Sequence, residues 1–269
     1  MFFKFALYLT FLVVLSSAHP GQLRSRQASK GCYPLHTTFS NSEVSNGGNT
    51  LMTIISPADS YSTSASGLEL FLKKPAGRVT THNGVNDQLG SGATANSSFL
   101  LSYGKVSFDL TAPTGASGAV VAAIFISDDH HEIDIELLTG DPKQWQTNVF
   151  APPVANAPPA YGKLSSVEDI PKSRSGQQTI GERHSYSIDW NARRIIWSVD
   201  GRSVRTLTPQ QSKINGRVNY PTSPMRIQLG IWDASSPEGT SEWARGPINW
   251  NRQPERLIAK FHSLTVECP

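Results

Sequence analysis

HSYSIDWNARRIIWSVDGRSVRTL, residues 184–207, alternates apolar and polar side chains twice over. Tyr186, Ile188 and Trp190 fall on one side of an extended segment, with Ser187 and Asp189 on the other. Ile195, Trp197 and Val199 repeat the pattern after a short polar turn. A side-chain period of two is that of a half-buried strand. Asp200-Gly201 is a tight-hairpin dipeptide, so a further strand runs on towards Val204. Working outward, Lys105–Leu110 alternates cleanly and Leu68–Leu72 less so. Ala119–Ile126 is a continuous apolar run, short enough for a strand buried on both faces. Arg226–Trp232 and Leu257–Val266 complete the set, and helical periodicity is almost absent. Many short strands with turn signals every ten or so residues predict an all-β chain, an antiparallel β-sandwich or barrel.

Composition narrows the function. The 269 residues are long enough to bury a real core, and from Cys32 on there is neither a second linker nor a repeat. Residues 32–269 therefore read as one domain. Net charge is only +3 and no basic block is present, which argues against nucleic-acid binding. The first 18 residues, MFFKFALYLTFLVVLSSA, combine an early lysine, a short apolar run and a small-residue cleavage site. That is the pattern of a secretory signal peptide, too short to span a bilayer. Residues 19–31 are polar and basic and read as a flexible leader. No lipid-anchor tail is visible, so the expected product is secreted, extracellular or in a cell wall, without a membrane anchor, and a monomer. In an oxidising compartment Cys32 and Cys268 are expected to pair. Asn96-Ser97-Ser98 is the sole N-glycosylation sequon and is expected at the surface.

The chemistry concentrates in Asp128-Asp-His-His-Glu-Ile-Asp-Ile-Glu-Leu-Leu138. As a strand it places Glu132, Asp134 and Glu136 on one face and Ile133, Ile135 and Leu137 on the other. A merely solvated acidic face is the plain alternative. Like charges along one face repel, however, and charged residues are only 17% of the chain, so the clustering points to function. Retaining glycoside hydrolysis needs two carboxyl groups about 5–5.5 Å apart. The Cα atoms of residues 132 and 136 are about 13 Å apart in a strand, a gap that two glutamates leaning inward can close. Asp134 between them would keep their pKa values apart. Zinc is the competing reading of the Asp/His run, but neighbouring strand residues point to opposite faces and no second cluster has ligand spacing. No metal or other cofactor is expected.

Glu132-Ile-Asp-Ile-Glu136 resembles the E-x-D-x-E signature of glycoside hydrolase family 16. The resemblance extends to Ser102-Tyr-Gly-Lys-Val106 before it, to Gly140-Asp141 and Gln146–Phe150 after it, and to the hairpin quoted above. Gly230-Ile-Trp232 and Glu238–Ala244 resemble the fungal CRH-type chitin–glucan transglycosylase branch. The resemblance implies a concanavalin-like jelly roll with a concave sugar cleft and double displacement with retention. It implies Glu132 as nucleophile, Asp134 as the assisting residue and Glu136 as acid/base, with Gln228, Trp232, Thr240 and Trp243 lining the cleft. Gln228 stands where the branch has a basic residue. Gln146 and Asn148 alternate on one strand face and could hydrogen-bond sugar hydroxyls. Trp190 and Trp197 are expected in the core, whereas Trp232 and Trp243, flanking a Gly/Ser/Pro loop, are expected in the cleft. The reading is a secreted retaining glycosidase or transglycosylase acting on fungal-wall β-glucan or chitin. The alternatives are a plain β-1,3(4)-glucan hydrolase and a non-catalytic, lectin-like glycan-binding sandwich.

Overall fold

The computed structural model of the chain describes residues 31–152, 162–173 and 176–269. The signal-peptide reading, and the leader apart from Gly31, lie outside the described residues. No helix among the described residues is long and apolar enough to cross a membrane.

Two eight-stranded sheets form the molecule. The first is ordered β18 (Arg202–Leu207), β17 (Ile195–Val199), β16 (His184–Trp190), β9 (Gly104–Thr111), β22 (Arg256–Glu267), β5 (Gly67–Lys73) and β4 (Tyr61–Ser64), with β1 (Leu35–Thr37) also paired to β22. The second is ordered β13 (Ser166–Asp169), β12 (Gln144–Phe150), β11 (Glu132–Leu138), β10 (Ala119–Ser127), β21 (Met225–Asp233), β8 (Ala93–Ser97), β3 (Met52–Ile54) and β2 (Val44–Asn46). Pairing is antiparallel throughout, except for the parallel contact of β2 with β3. Three short ribbons decorate the loops: β6 (Thr81–His82) with β7 (Val85–Asn86), β14 (Lys172–Ser173) with β15 (Gly176–Gln177), and β19 (Lys213–Ile214) with β20 (Arg217–Val218). A six-residue helix, α1 (Glu238–Trp243), and a 3₁₀ turn at Trp250–Arg252 interrupt the β pattern. Alternation did not reveal α1, because six residues are too few to show a helical period.

The hairpin reading is realised in detail. Ile188 lies opposite Trp197 and Trp190 opposite Ile195. The Asn191 side chain accepts from the amides of Arg193 and Arg194, closing the first turn. Asp200 and Gly201 both have positive φ, 50° and 76°, as a tight hairpin turn requires. Asp200 also accepts from the Ser185 amide and contacts buried His184 Nδ1 at 2.7 Å.

The core lies between the sheets. Val106, Phe108 and Leu110 of β9, Ile188, Trp190 and Trp197 of the hairpin, and Phe261 are buried with Phe125, Ile133, Ile135, Leu137, Ile227 and Leu229 of the other sheet. Burying such side chains contributes about 1.5–3 kcal/mol each and drives the sandwich together. Trp197 bridges the layers, its Nε1–H donating to the Asp134 carbonyl at 3.0 Å. Arg205 of β18 stacks on the Trp197 ring and donates to the Thr147 carbonyl and hydroxyl, binding the first sheet to β12. Cys32 and Cys268 form a disulfide with Cα atoms 5.6 Å apart, closing a separation of 236 residues beside the β1–β22 pair. Gly104, at φ 137°, passes this bridge so closely that a Cβ would lie 3.2 Å from Cys32 Sγ and 3.0 Å from the Glu267 carbonyl. A side chain there has no room.

Candidate active site

β10, the apolar run, is buried between β11 and β21, which makes β11 an interior strand rather than an edge. Register fixes what shares a face with the carboxylates. Asp134 pairs with Asn148 on one side and Ile124 on the other, and Ile124 continues to Gln228 and Asn96. Glu136 pairs with Gln146 and Ala122, and that row continues to Gly230 and Thr94. Leu138, Val120 and Trp232 form the next row. The odd-numbered partners Ile133, Ile135, Val121, Ala123, Leu229 and Ile231 are buried against the other sheet, so the even-numbered face turns outward.

Glu132, Asp134 and Glu136 therefore line one outward face from a single segment. All three carboxyls are held above their ordinary range. Burial pushes Glu132 from 4.5 to about 7. Burial, and then the negative charge of Glu132, push Glu136 from 4.5 to about 8. Asp134 is raised well above 3.8 by burial, then by Glu132 and Glu136, against a smaller opposing hydrogen bond from Asn148. Only 4% of Asp134 is exposed, and its Oδ1, like Oδ1 of Asn148, is buried without a hydrogen-bond partner. A buried acceptor without a partner is costly in a folded protein. The causes differ: burial alone raises Glu132, whereas at Glu136 the negative charge of Glu132 adds to burial.

One wall of the site is aromatic. The rings of Trp232 and Trp243 stack 6.0 Å apart, 19° from parallel, over a small apolar cluster of Val120, Leu138, Ala234 and Ala244 on the outward face. Trp243 Nε1–H donates to Gln146 Oε1 at 2.9 Å, which orients the amide next to Glu136. Loops tie this wall down. Buried Asp233 accepts from the Gly90 amide at 2.7 Å, the Ser235 amide at 2.9 Å and Trp250 Nε1 at 3.0 Å. Asn86 donates to the Ile248 carbonyl, and Ser241 to that of Gly84. Sequence reasoning missed Asp233; the signal was an acid closing a long apolar strand ahead of Ala-Ser-Ser-Pro.

Thr240 of α1 is 2% exposed, and its hydroxyl has no partner. Asn96 is a half-buried residue of β8 on the outward, carboxylate face, and its Oδ1 accepts from Gln228 Nε2 at 2.8 Å. Trp190 and Trp197 are buried as expected, and Trp145 and Trp250 are buried too.

The chain is thus a two-sheet antiparallel sandwich with three carboxyl groups on the outward face of an interior strand. Residues 48–252 match the family model for glycosyl hydrolases family 16. The chain is 36% identical over 175 residues to Crh-like protein 2 of Aspergillus fumigatus, covering 62% of this chain and 37% of that protein. It is 35% identical over 177 residues to Congo red hypersensitive protein 1 of Saccharomyces cerevisiae, covering 62% of this chain and 31% of that protein. The chain thus spans well under half the length of these curated relatives. Among solved structures, the apo Crh5 transglycosylase superposes with a TM-score of 0.65 at 25% identity, covering 89% of each chain. The Bacillus licheniformis beta-glucanase gives 0.64 at 20% identity, covering 90% of this chain and all of that one, a likeness of jelly-roll fold alone. The chain belongs to glycosyl hydrolases family 16.

Proposed function

We propose that the chain is a retaining glycosidase or transglycosylase of the fungal cell wall, acting on β-glucan, chitin or both. Residues 32–269 are its catalytic unit, and it works outside the cell after removal of residues 1–18. The observation that carries the reading is the triad on one outward face of β11, with Glu136 held at about 8 and Glu132 at about 7. Names of the relatives support the substrate: one structure similar to this chain is a Crh5 transglycosylase in complex with NAG, with a TM-score of 0.61 at 26% identity.

In the first step the Glu132 carboxylate attacks the anomeric carbon while Glu136 gives its proton to the glycosidic oxygen. The C–O bond breaks, and a glycosyl ester forms on Glu132. In the second step Glu136 takes a proton from water or from a sugar hydroxyl as that oxygen attacks the same carbon, and Glu132 leaves. Two inversions give retention. Asp134 stays buried between the glutamates and limits how much charge the triad carries. Gln146, Asn148 and Gln228 supply neutral hydrogen-bonding groups around the sugar, and the Trp232–Trp243 stack offers it an apolar face.

Labelled chitin and laminarin oligosaccharides, with products separated by size, test the reading. Products longer than the donor mean transfer, and shorter ones alone mean hydrolysis. Glu132→Gln is expected to abolish turnover and leave sugar binding intact. Undiminished turnover in that variant would remove Glu132 from the nucleophile role.

A further inference from the structure

The Asn96 sequon lies on the face that carries the carboxylates. Asn96, Gln228, Ile124 and Asp134 are consecutive partners across β8, β21, β10 and β11. At about 4.8 Å per strand, Asn96 stands about 14 Å from Asp134 along one row. Between them the row holds no charged side chain, only the isoleucine and the glutamine amide. Neutral amides along such a row suit the many hydroxyls of a sugar chain. Asn96 is also half-buried, its Oδ1 engaged by Gln228 Nε2 at 2.8 Å.

From this placement we propose that N-glycosylation of Asn96 and turnover of polysaccharide are mutually exclusive, so that modification of this one side chain closes the cleft. The inference rests on the proposed polysaccharide site. Attachment replaces one Nδ2 proton of Asn96 by the anomeric carbon of an oligosaccharide delivered on a lipid diphosphate, which leaves. The resulting branched chain is rooted in the floor and lies across the row leading to Asp134. It also disturbs the amide that Gln228 uses. Addition occurs on the unfolded chain during secretion, before the sheet can hide Asn96, so the fold does not itself prevent it. The share of modified molecules then sets the share of silent enzyme.

The test uses the full chain with Asn96→Cys. Both native cysteines are consumed by the disulfide and no free cysteine exists, so the introduced thiol reacts alone. Coupling it to a maleimide-bearing polyethylene glycol mimics a bulky glycan. The reference is Ser203→Cys, similarly coupled, at an exposed position of β18 on the opposite sheet. The coupled Asn96→Cys protein should lose about 100-fold in kcat/KM on laminarin and chitin oligosaccharides relative to the same variant uncoupled, and the coupled reference less than about twofold. Equal rates for coupled and uncoupled Asn96→Cys overturn the proposal. A second arm uses chain secreted by a glycosylating host and separates a lectin-retained form. Its counterpart is Ser98→Ala, which breaks the acceptor motif but keeps Asn96 and Gln228. A retained form that carries a glycan on Asn96 and matches Ser98→Ala in rate also overturns it. If neither uncoupled variant nor Ser98→Ala turns over any sugar, the proposed function fails, not the exclusion.

Discussion

Replacing Glu136 by Gln keeps the shape of the side chain and removes its ability to ionise. Its carboxyl has a folded value of about 8 against an ordinary 4.5. A carboxyl raised on folding binds more protons in the native than in the unfolded state between those values, so native stability falls as pH rises through that window. The linkage integral gives a cost at this residue that is negligible at pH 4, about 2 kcal/mol at pH 6 and about 4 kcal/mol at pH 8. Glu136→Gln escapes that cost and also relieves repulsion on Asp134, which acts in the same direction. The variant should match the parent near pH 4 and exceed it increasingly above pH 6. At about 2–4 °C per kcal/mol for a domain of this size, the gap in melting temperature reaches about 8–16 °C at pH 8. Even if relaxation of the site halves the effect, about 2 kcal/mol remains. Thermal unfolding followed by near-UV circular dichroism at pH 4, 6 and 8 measures it. A difference independent of pH, or a parent more stable than the variant at pH 8, would refute the claim that Glu136 is held protonated by its surroundings.

Turnover requires Glu132 ionised and Glu136 protonated, so kcat/KM should follow a narrow bell with limbs belonging to the pair near 7 and 8; a flat profile from pH 5 to 9 would contradict it. Replacing both Cys32 and Cys268 by Ser should cost about 5 kcal/mol by loop-closure entropy across 236 residues, read as a lower denaturant midpoint, and an unchanged midpoint would refute it. Gly230 separates fold from site. Its φ is not positive, and a Cβ there would lie 3.4 Å from the Ala93 carbonyl and 3.8 Å from Thr94 Oγ1, so the strand tolerates alanine. Gly230→Ala should hold or raise stability by about 0.5–1 kcal/mol but reduce kcat/KM about tenfold by raising the floor beside Glu136, whereas an unchanged kcat/KM would take substrate off that row.

The parts of the fold legible in the sequence were those whose two faces differ most. Val106, Phe108 and Leu110 alternate with Lys105, Ser107 and Asp109 because one side meets the core and the other solvent. Ala119–Ile126 is apolar on both sides because its odd-numbered residues meet the core, while outward Val120 lies under the aromatic wall and Ala122 and Ile124 share rows with the carboxyl groups. β8 and β3 escaped notice because their outward sides carry Thr and Asn for a cleft and their inward sides only Ala, Met and Ile over a short span. The carboxylates were legible for the opposite reason: three acids at spacing two cannot be comfortable on any strand unless something uses them. What the sequence could not express is register across the sheet. That Asn96 shares a row with Asp134, or that Asp233 binds three donors from two loops and its own, depends on strand order, which no local pattern encodes.

Strand order also divides the chemistry from the choice of acceptor. The charge of Glu132 is the second cause, after burial, of the raised Glu136 value. In the proposed mechanism, formation of the glycosyl ester on Glu132 erases that charge, so Glu136 falls in pKa just as it must begin to act as a base. This reset needs only the two glutamates and serves water and a sugar hydroxyl equally. Discrimination must therefore come from elsewhere on the face. A bound acceptor competes with bulk water through the effective molarity of an oriented hydroxyl, which can reach about 10⁵ M. Orientation requires a surface that grips a second sugar beside Glu136. The wall that meets this requirement is the Trp232–Trp243 stack, locked to Gln146 by the indole hydrogen bond and resting on its own apolar cluster rather than on the main core. On the proposed mechanism, chemistry resides in β11, while the balance between hydrolysis and transfer is assigned to α1 and the end of β21.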